Sequence, residues 1–253
     1  MYEETCYKEP FLKEVIFRID FPSPIESLER TVPKDLLKEI SNRFPISEPR
    51  KAHTQEFQFS GSSLQAKTNE VTQWVYFGKE REKSLILDSA ALIISIKEYI
   101  TYEEFVDDTK HILEVFFKVF NEISAARIGL RYVNLIDLNE PDPFSWKDYI
   151  NEEILGIIDF HVEKQFLTRV FHIVEYNFDG LAVKYQFGIA NPDYPAHIKR
   201  KQFVLDIDAY SHGSFDYGEV LTVIDDAHSK VQDIFEKSIT DKLRAKMKPI
   251  INE

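Results

Sequence analysis

The clearest indication of the fold lies in residues 101–136, which read TYEEFVDDTKHILEVFFKVFNEISAARIGLRYVNLI. The Thr-x-x-Glu start has the form of a capping box, whose hydroxyl and carboxylate satisfy backbone amides at the beginning of a helix. Apolar residues then cover most of the helix circumference until about Ser124, and a helix of this kind is buried on several sides. A strand follows at 127–136. We therefore predict a central buried helix that leads directly into a long strand.

Strand patterns dominate the chain on both sides of this stretch. Val15, Phe17, Ile19 and Phe21 alternate with mostly polar neighbours, which is typical of a strand with one buried face. Further strands are predicted at 55–60, 71–77, 84–88, 92–99, 166–177, 181–190 and 202–210.

Two more helices are predicted outside residues 101–136. A short helix begins at about Pro33, because proline is favoured at the first helical position, and it ends at Phe44. A long helix begins at a second capping box, formed by Asp216 and Glu219, and continues to Leu243. Its apolar residues form a single stripe, which indicates that this helix lies on a sheet.

The order of these elements predicts an α+β fold built mainly on antiparallel sheet. A run of strands followed by a long helix occurs twice, whereas a parallel sheet would require strands and helices to alternate singly. The two halves, at about 1–138 and 139–253, pack around the central helix in this prediction. Duplication and chance similarity of two amphipathic helices both remain open. Because no linker rich in Pro, Gly or Ser separates the halves, we expect residues 1–253 to form a single domain.

Charge and cysteine content narrow the classes of partner and location. The net charge of −12 repels polyanions, so neither nonspecific nucleic-acid binding nor membrane binding is expected. The one dense basic stretch, His197–Lys201, is interpreted as a solvated loop. The single cysteine, Cys6, fits a reducing compartment, and no apolar run is long enough to span a bilayer. We therefore predict a cytoplasmic protein.

The strand Gly129-Leu130-Arg131-Tyr132-Val133-Asn134 resembles an element of a sporadically distributed family of uncharacterised prokaryotic proteins. That family shares a Gly-Leu-Arg-Tyr-x-Asn strand after a long helix. Agreement in order extends to 7–10 (Tyr-Lys-Glu-Pro), 205–208 (Leu-Asp-Ile-Asp) and 239–243 (Ile-Thr-Asp-Lys-Leu), whereas Phe11-Leu12 stand where the family usually has Pro-Ile. The resemblance implies a bacterial or archaeal origin and brings no assigned activity.

Two arginines of this strand are the candidate ligand-binding residues. Arg127 and Arg131 fall on one strand face, and such a pair of guanidiniums suits a carboxylate or phosphate. Asn134 at the end of the strand is assigned to the same candidate site. Three interpretations stay open: an ion network with Asp206 and Asp208, ligand binding, and simple exposure at the surface.

A candidate metal site lies in the late strand. Asp206 and Asp208 have the Asp-x-Asp form that holds a divalent ion in nucleotidyltransferases, and His212 lies close enough in sequence to complete the site. That chemistry also needs an upstream Gly-Ser turn, but Gly213-Ser214 lies downstream. An alternative interpretation is a polar strand end before a capped helix.

The leading functional prediction is a non-catalytic ligand- or partner-binding, or regulatory, protein. No catalytic residues and no resident cofactor are assigned, and the partner is predicted to be a protein or a small anionic ligand. The alternative is a metal-dependent enzyme that acts on a phosphate ester or nucleotide through Asp206 and Asp208. A homodimer could form through an exposed sheet edge.

Overall fold

The computed structural model describes residues 6–60, 63–160 and 162–250, and within 54–60 and 63–69 it describes only the backbone. The strands are Leu12–Asp20 (β1), Ile46–Ser47 (β2), Arg50–Ser60 (β3), Ser63–Phe77 (β4), Lys83–Leu87 (β5), Ala91–Ile96 (β6), Ala125–Leu138 (β7), Val170–Phe178 (β8), Leu181–Ile189 (β9) and Lys201–Phe215 (β10). The helices are Lys34–Arg43 (α1), Tyr102–Val119 (α2), Glu152–Phe160 (α3), Tyr217–Ser238 (α4) and Asp241–Met247 (α5), and single 3₁₀ turns occur at Glu26–Glu29 and Lys164–Phe166.

The strands form one sheet that crosses both halves of the chain. Their order is β2-β4-β5-β6-β1-β7-β10-β9-β8, with β3 paired to β4, and each of these pairs is antiparallel. The predicted α+β fold with a mainly antiparallel sheet is therefore confirmed. Asp179 and Gly180, both at positive φ, close the hairpin between β8 and β9.

The two faces of the sheet differ in composition because side chains alternate along each strand. Val15, Phe17 and Ile19 of β1 point to the face that carries the hydrophobic core, as does Leu130 of β7. We call this the covered face. The opposite face, here called the open face, carries the intervening charged residues of the three central strands: Arg18, Asp20, Arg127, Arg131, Asp206 and Asp208.

Helix α2 lies in the middle of the helical layer, between α1 and α4. It buries Phe105, Ile112 and Phe116 completely or nearly so, which agrees with its predicted central position. Glu103 and Asp107 on its other side are exposed, so α2 is covered by the sheet and by neighbouring helices but still reaches solvent.

The long helix predicted to continue to Leu243 is two helices. Asp216 and Glu219 form the complete predicted capping box at the start of α4. Ile239 is extended and bridges to Ile150, and the Thr240 hydroxyl then accepts the Leu243 amide to begin α5. The prediction of one helix was wrong because a second N-cap interrupts the apolar stripe.

One charged residue of the predicted basic loop is buried. Lys201 begins β10 and is buried, with Nζ 2.5 Å from Glu140 Oε2 and above the rings of Trp146 and Tyr149. The alkyl stem and cation therefore occupy an aromatic site with one carboxylate. The interpretation as a solvated loop is wrong for Lys201, whereas Lys199 and Arg200 are exposed.

Candidate functional site

Pairing of β1, β7 and β10 brings the candidate charges together on the open face. Asp20, Arg127 and His212 are opposite one another across the three strands, and Ile16, Arg131 and Asp208 form another such row. Neighbouring positions in antiparallel strands lie about 5 Å apart, within reach of a guanidinium. The sheet therefore places Arg127 and Arg131 beside the two aspartates that the sequence suggested as partners.

Arg131 forms a bidentate ion pair with a carboxylate. Its Nε donates to Asp206 Oδ1 at 2.7 Å, and its Nη2 donates to Asp206 Oδ2 at 2.5 Å. The Asp206 side chain is only 9% exposed, so its carboxylate is shielded from water, whereas the Arg131 side chain is 42% exposed. The hydrogen bonds to Asp206 raise the pKa of Arg131 further above its ordinary value. For Arg131 the predicted ion network is what the structure contains.

Arg127 is held much more loosely. Its Nη1 lies 3.6 Å from Asp20 Oδ2 and its Nη2 lies 3.7 Å from Asp208 Oδ2, beyond hydrogen-bond distance. Its Cζ lies 4.9 Å from the centroid of the Tyr210 ring. Within the described parts of the chain, no acceptor takes a hydrogen bond from this guanidinium, although its side chain is only 22% exposed.

Gly129 makes the position of Arg127 possible. A Cβ at Gly129 would lie 2.9 Å from Arg127 Nη1 and 3.2 Å from its Cζ, closer than side chains pack. Arg18 and Tyr210 are opposite Gly129 on the two flanking strands. The glycine of the Gly-Leu-Arg-Tyr-x-Asn strand therefore leaves room for a guanidinium to lie against the sheet.

The carboxylate of Asp208 is incompletely compensated. Asp208 is opposite Arg131 in the register, but Arg131 turns diagonally to Asp206. Burial raises the pKa of Asp208 above its ordinary value, even though Arg127 and Arg131 both act to lower it. Asp208 therefore keeps acceptor capacity beside the free donors of Arg127.

Arg127, Arg131 and Asp208 line a groove of about 590 Å³ on the open face. Its walls alternate charged side chains with apolar ones, in the size range of small-molecule sites. The lining residues from β1, β5, β6, β7 and β10 are Glu14, Ile16, Arg18, Asp20, Ser84, Ile86, Ile93, Ser95, Arg127, Gly129, Arg131 and Asp208.

Asn134 lies on the covered face, apart from the two arginines. Its Nδ2 donates to the Leu205 carbonyl at 3.3 Å, and the side chain borders a separate apolar cavity of about 80 Å³. Tyr132 of the same strand also borders this cavity, with its hydroxyl 3.0 Å from His228 Nδ1. Asn134 and Arg131 are an odd number of residues apart, which puts them on opposite strand faces.

The three candidate metal ligands do not converge. Both carboxylate oxygens of Asp206 accept from Arg131, and Asp208 faces Arg127. His212 is exposed and meets the edge of the Tyr210 ring. Among the described residues, no three His, Cys, Asp or Glu side chains are grouped closely enough to hold a metal ion. A metal at Asp206 would have to displace a bidentate arginine.

Sequence reasoning missed the contribution of β1. Arg18 Nε donates to Asp20 Oδ1 at 2.7 Å, which leaves Asp20 Oδ2 turned towards Arg127. Glu14 accepts a hydrogen bond from the Ser95 hydroxyl on β6. The alternation around Val15 already placed these charges on one face, but nothing in the sequence indicated that β1 pairs with β7.

Comparison with known proteins adds no functional information. No protein-family model matches the chain, and no curated protein sequence matches it. Among the helices of the described residues, none is both long and apolar enough to span a bilayer.

Proposed function

We propose that the protein is a non-catalytic binding protein that recognises an anionic group, a carboxylate or phosphate, through Arg127 in the groove on the open face. The observation that carries this proposal is the hydrogen-bonding state of Arg127. Its guanidinium lines the groove, is largely desolvated, and makes no hydrogen bond to the described residues. An anionic ligand in the groove would supply the hydrogen-bond acceptor that this charged donor lacks, in a charge-assisted hydrogen bond.

The charges around Arg127 favour a small ligand or a single side chain of a partner over a polyanion. Arg18 and Arg131 add positive charge in the groove, whereas Glu14, Asp20 and Asp208 balance it. The whole chain carries −12. Long-range attraction therefore contributes little, and recognition depends on short directional hydrogen bonds, which fits specific and not nonspecific binding.

Pairing among the other charged groups supports binding over catalysis. Asp206 is saturated by Arg131, and Asp20 accepts from Arg18. Groups held in this way position a ligand but are poor proton carriers, because their charged forms are stabilised. The metal-dependent enzyme stays a prediction that a metal titration can test.

Origin and location are part of the same proposal. The resemblance of residues 129–134 to a prokaryotic family supports a prokaryotic source. The single cysteine supports a cytoplasmic location.

NMR of the arginine side chains tests the proposed role. Titration with inorganic phosphate, and separately with succinate, is expected to shift the Nε–Hε signal of Arg127, and Arg127→Gln should weaken binding by about 10- to 100-fold, the value of a charge-assisted hydrogen bond. The matched control is Arg169→Gln, because Arg169 also lies over a tyrosine ring, 4.2 Å from the centroid of Tyr194, but does not line the groove.

Three results would contradict the assignment. Undiminished anion binding by folded Arg127→Gln would exclude Arg127 as the contact. An equal loss in Arg169→Gln would indicate a nonspecific charge effect. Heat on titration with Mg²⁺ or Mn²⁺ that is lost in Asp208→Asn would favour the metal-dependent enzyme instead.

A further inference from the structure

Strand β8 forms one end of the sheet, and its outer edge is uncovered in the described structure. β9 pairs with it on one side along its full length, from Val170 to Phe178. No described strand pairs with its other side, and every residue from 173 to 178 is exposed, whereas Val170 is buried. An edge of this length is a template for pairing with another strand.

The side chains of β8 are unusually apolar for an exposed strand. Ile173 is 57% exposed on one face, and Val174, Tyr176 and Phe178 are exposed on the other. The rings of Tyr176 and Phe178 stack at 5.5 Å, and Lys230 lies over the Phe178 ring. The strand extends beyond the layer of helices that covers the rest of this face.

The usual protection against edge pairing is missing from β8. Natural edges carry Lys, Pro or a bulge, or are very short. Residues 170–178 contain one charged residue, Glu175, and their pairing with β9 has no register shift. By contrast, β2 near the opposite end of the sheet order is only two residues long. β3, which pairs with β4 on one side only, is eleven residues long but carries the charged residues Arg50 and Lys51. Among the described edge strands, β8 is therefore the long one that is poorest in charge.

We propose that β8 pairs antiparallel with β8 of a second copy of this chain. The two-fold axis is perpendicular to the sheet and lies midway between Val174 and its copy. Val174 is the midpoint of β8, so this register pairs all nine residues. It puts Val174 beside its own copy, His172 beside Tyr176, and Ile173 beside Glu175. An axis midway between Glu175 and its copy would instead place the two Glu175 carboxylates opposite each other, and like charges in that position destabilise a sheet.

This symmetry has a consequence for the rest of the molecule. A rotation within the plane of the sheet keeps both helical layers on one side and both grooves on the other. Val174 then contacts its equivalent, and Tyr176 lies beside His172 of the second copy next to the two helical layers, which removes apolar surface from water. The interface is isologous, as most closed dimers are.

Disulfide cross-linking tests the register. In a Cys6→Ser background, Val174→Cys puts two sulfurs across the axis at a Cα separation of about 4.5 to 5.5 Å, suitable for a disulfide. Ile173→Cys, one residue away, puts its two copies about 8 Å apart, beyond the reach of a disulfide. With copper–phenanthroline as oxidant, we expect most of the Val174→Cys chains to run as covalent dimers and Ile173→Cys to remain largely monomeric.

Light scattering after size exclusion tests the interface without a cross-link. The unmodified protein is expected at twice the chain mass, and Val174→Lys at one chain mass. Leu37→Lys is the control, because Leu37 and Val174 are equally exposed, at 37%, and Leu37 lies on α1. A monomeric parent protein, a dimer that survives Val174→Lys, or cross-linking through Ile173→Cys but not Val174→Cys would each overturn the proposal.

Discussion

Strand β7 contributes side chains to both faces of the sheet, and the packing and hydrogen bonding of these side chains differ between the two faces. On the covered face, Leu130 packs completely out of water and Tyr132 finds a hydrogen-bond partner in His228. On the open face, Arg131 donates hydrogen bonds to Asp206, but Arg127 lies against Gly129 without a hydrogen bond to any described residue. The covered face therefore stabilises the fold, whereas the open face carries an arginine that folding leaves in loose contacts only.

The largest effect is expected from a cavity on the covered face. Leu130 lies between Phe17 of β1 and Ala209 of β10, so Leu130→Ala should lower the free energy of unfolding by about 3 kcal/mol. Ile16→Ala, on the half-exposed open face beside Arg131, should cost about 1 kcal/mol. Urea denaturation measures both. Equal losses would show that the two faces do not differ in packing.

A pH dependence is expected from the same covered face. Burial lowers the pKa of His228 from 6.5 to about 4, although Asp225 and Glu103 act to raise it. The unfolded chain takes up this proton near pH 6.5 and the folded protein only near pH 4. Stability is therefore complete above pH 6.5 and falls as the pH drops, by about 3 kcal/mol at pH 4.

His228→Phe tests this pH dependence. The variant should lose less stability than the parent protein between pH 7 and pH 4, as measured by urea unfolding at each pH. The same slope in both proteins would show that other groups cause the acid sensitivity.

A smaller difference separates the two arginines. Arg131→Ala leaves the shielded carboxylate of Asp206 without its partner, so we expect a loss of about 2 kcal/mol. Arg127→Ala breaks only loose contacts and should cost less than about 1 kcal/mol. Thermal or urea unfolding of both variants checks the order, and Asp206→Ala combined with Arg131→Ala should recover part of the larger loss. A greater cost for Arg127→Ala would reverse the assignment of roles.

Much of the fold could be predicted from local sequence. Alternation along residues 127–136 assigned Arg127 and Arg131 to one face, and the Asp216–Glu219 pair predicted the start of α4 correctly. The same alternation, applied strictly, would have placed Asn134 on the covered face. The break before α5 also had a local signal, because Thr240 followed by Asp241 is a second helix start.

The geometry of the site depended on information that local patterns do not carry. The sequence suggested an ion network of the two arginines with Asp206 and Asp208, without a partner for each, and the register makes Asp208 the direct neighbour of Arg131. The direction of the long Arg131 side chain and the burial of the Asp206 carboxylate decide which aspartate pairs with Arg131. The contribution of Asp20 required knowing that β1 lies beside β7, which is a long-range pairing.

The glycine beneath Arg127 also bears on how tightly a ligand could be held. Immobilising a flexible side chain on binding costs about 0.5–1.5 kcal/mol of conformational entropy. Gly129 below, the Tyr210 ring at 4.9 Å and a carboxylate on either side limit the orientations of the Arg127 guanidinium, although its contacts are loose. Folding therefore meets part of that entropic cost in advance, and an anion that binds as proposed would gain this part of its affinity without an additional contact.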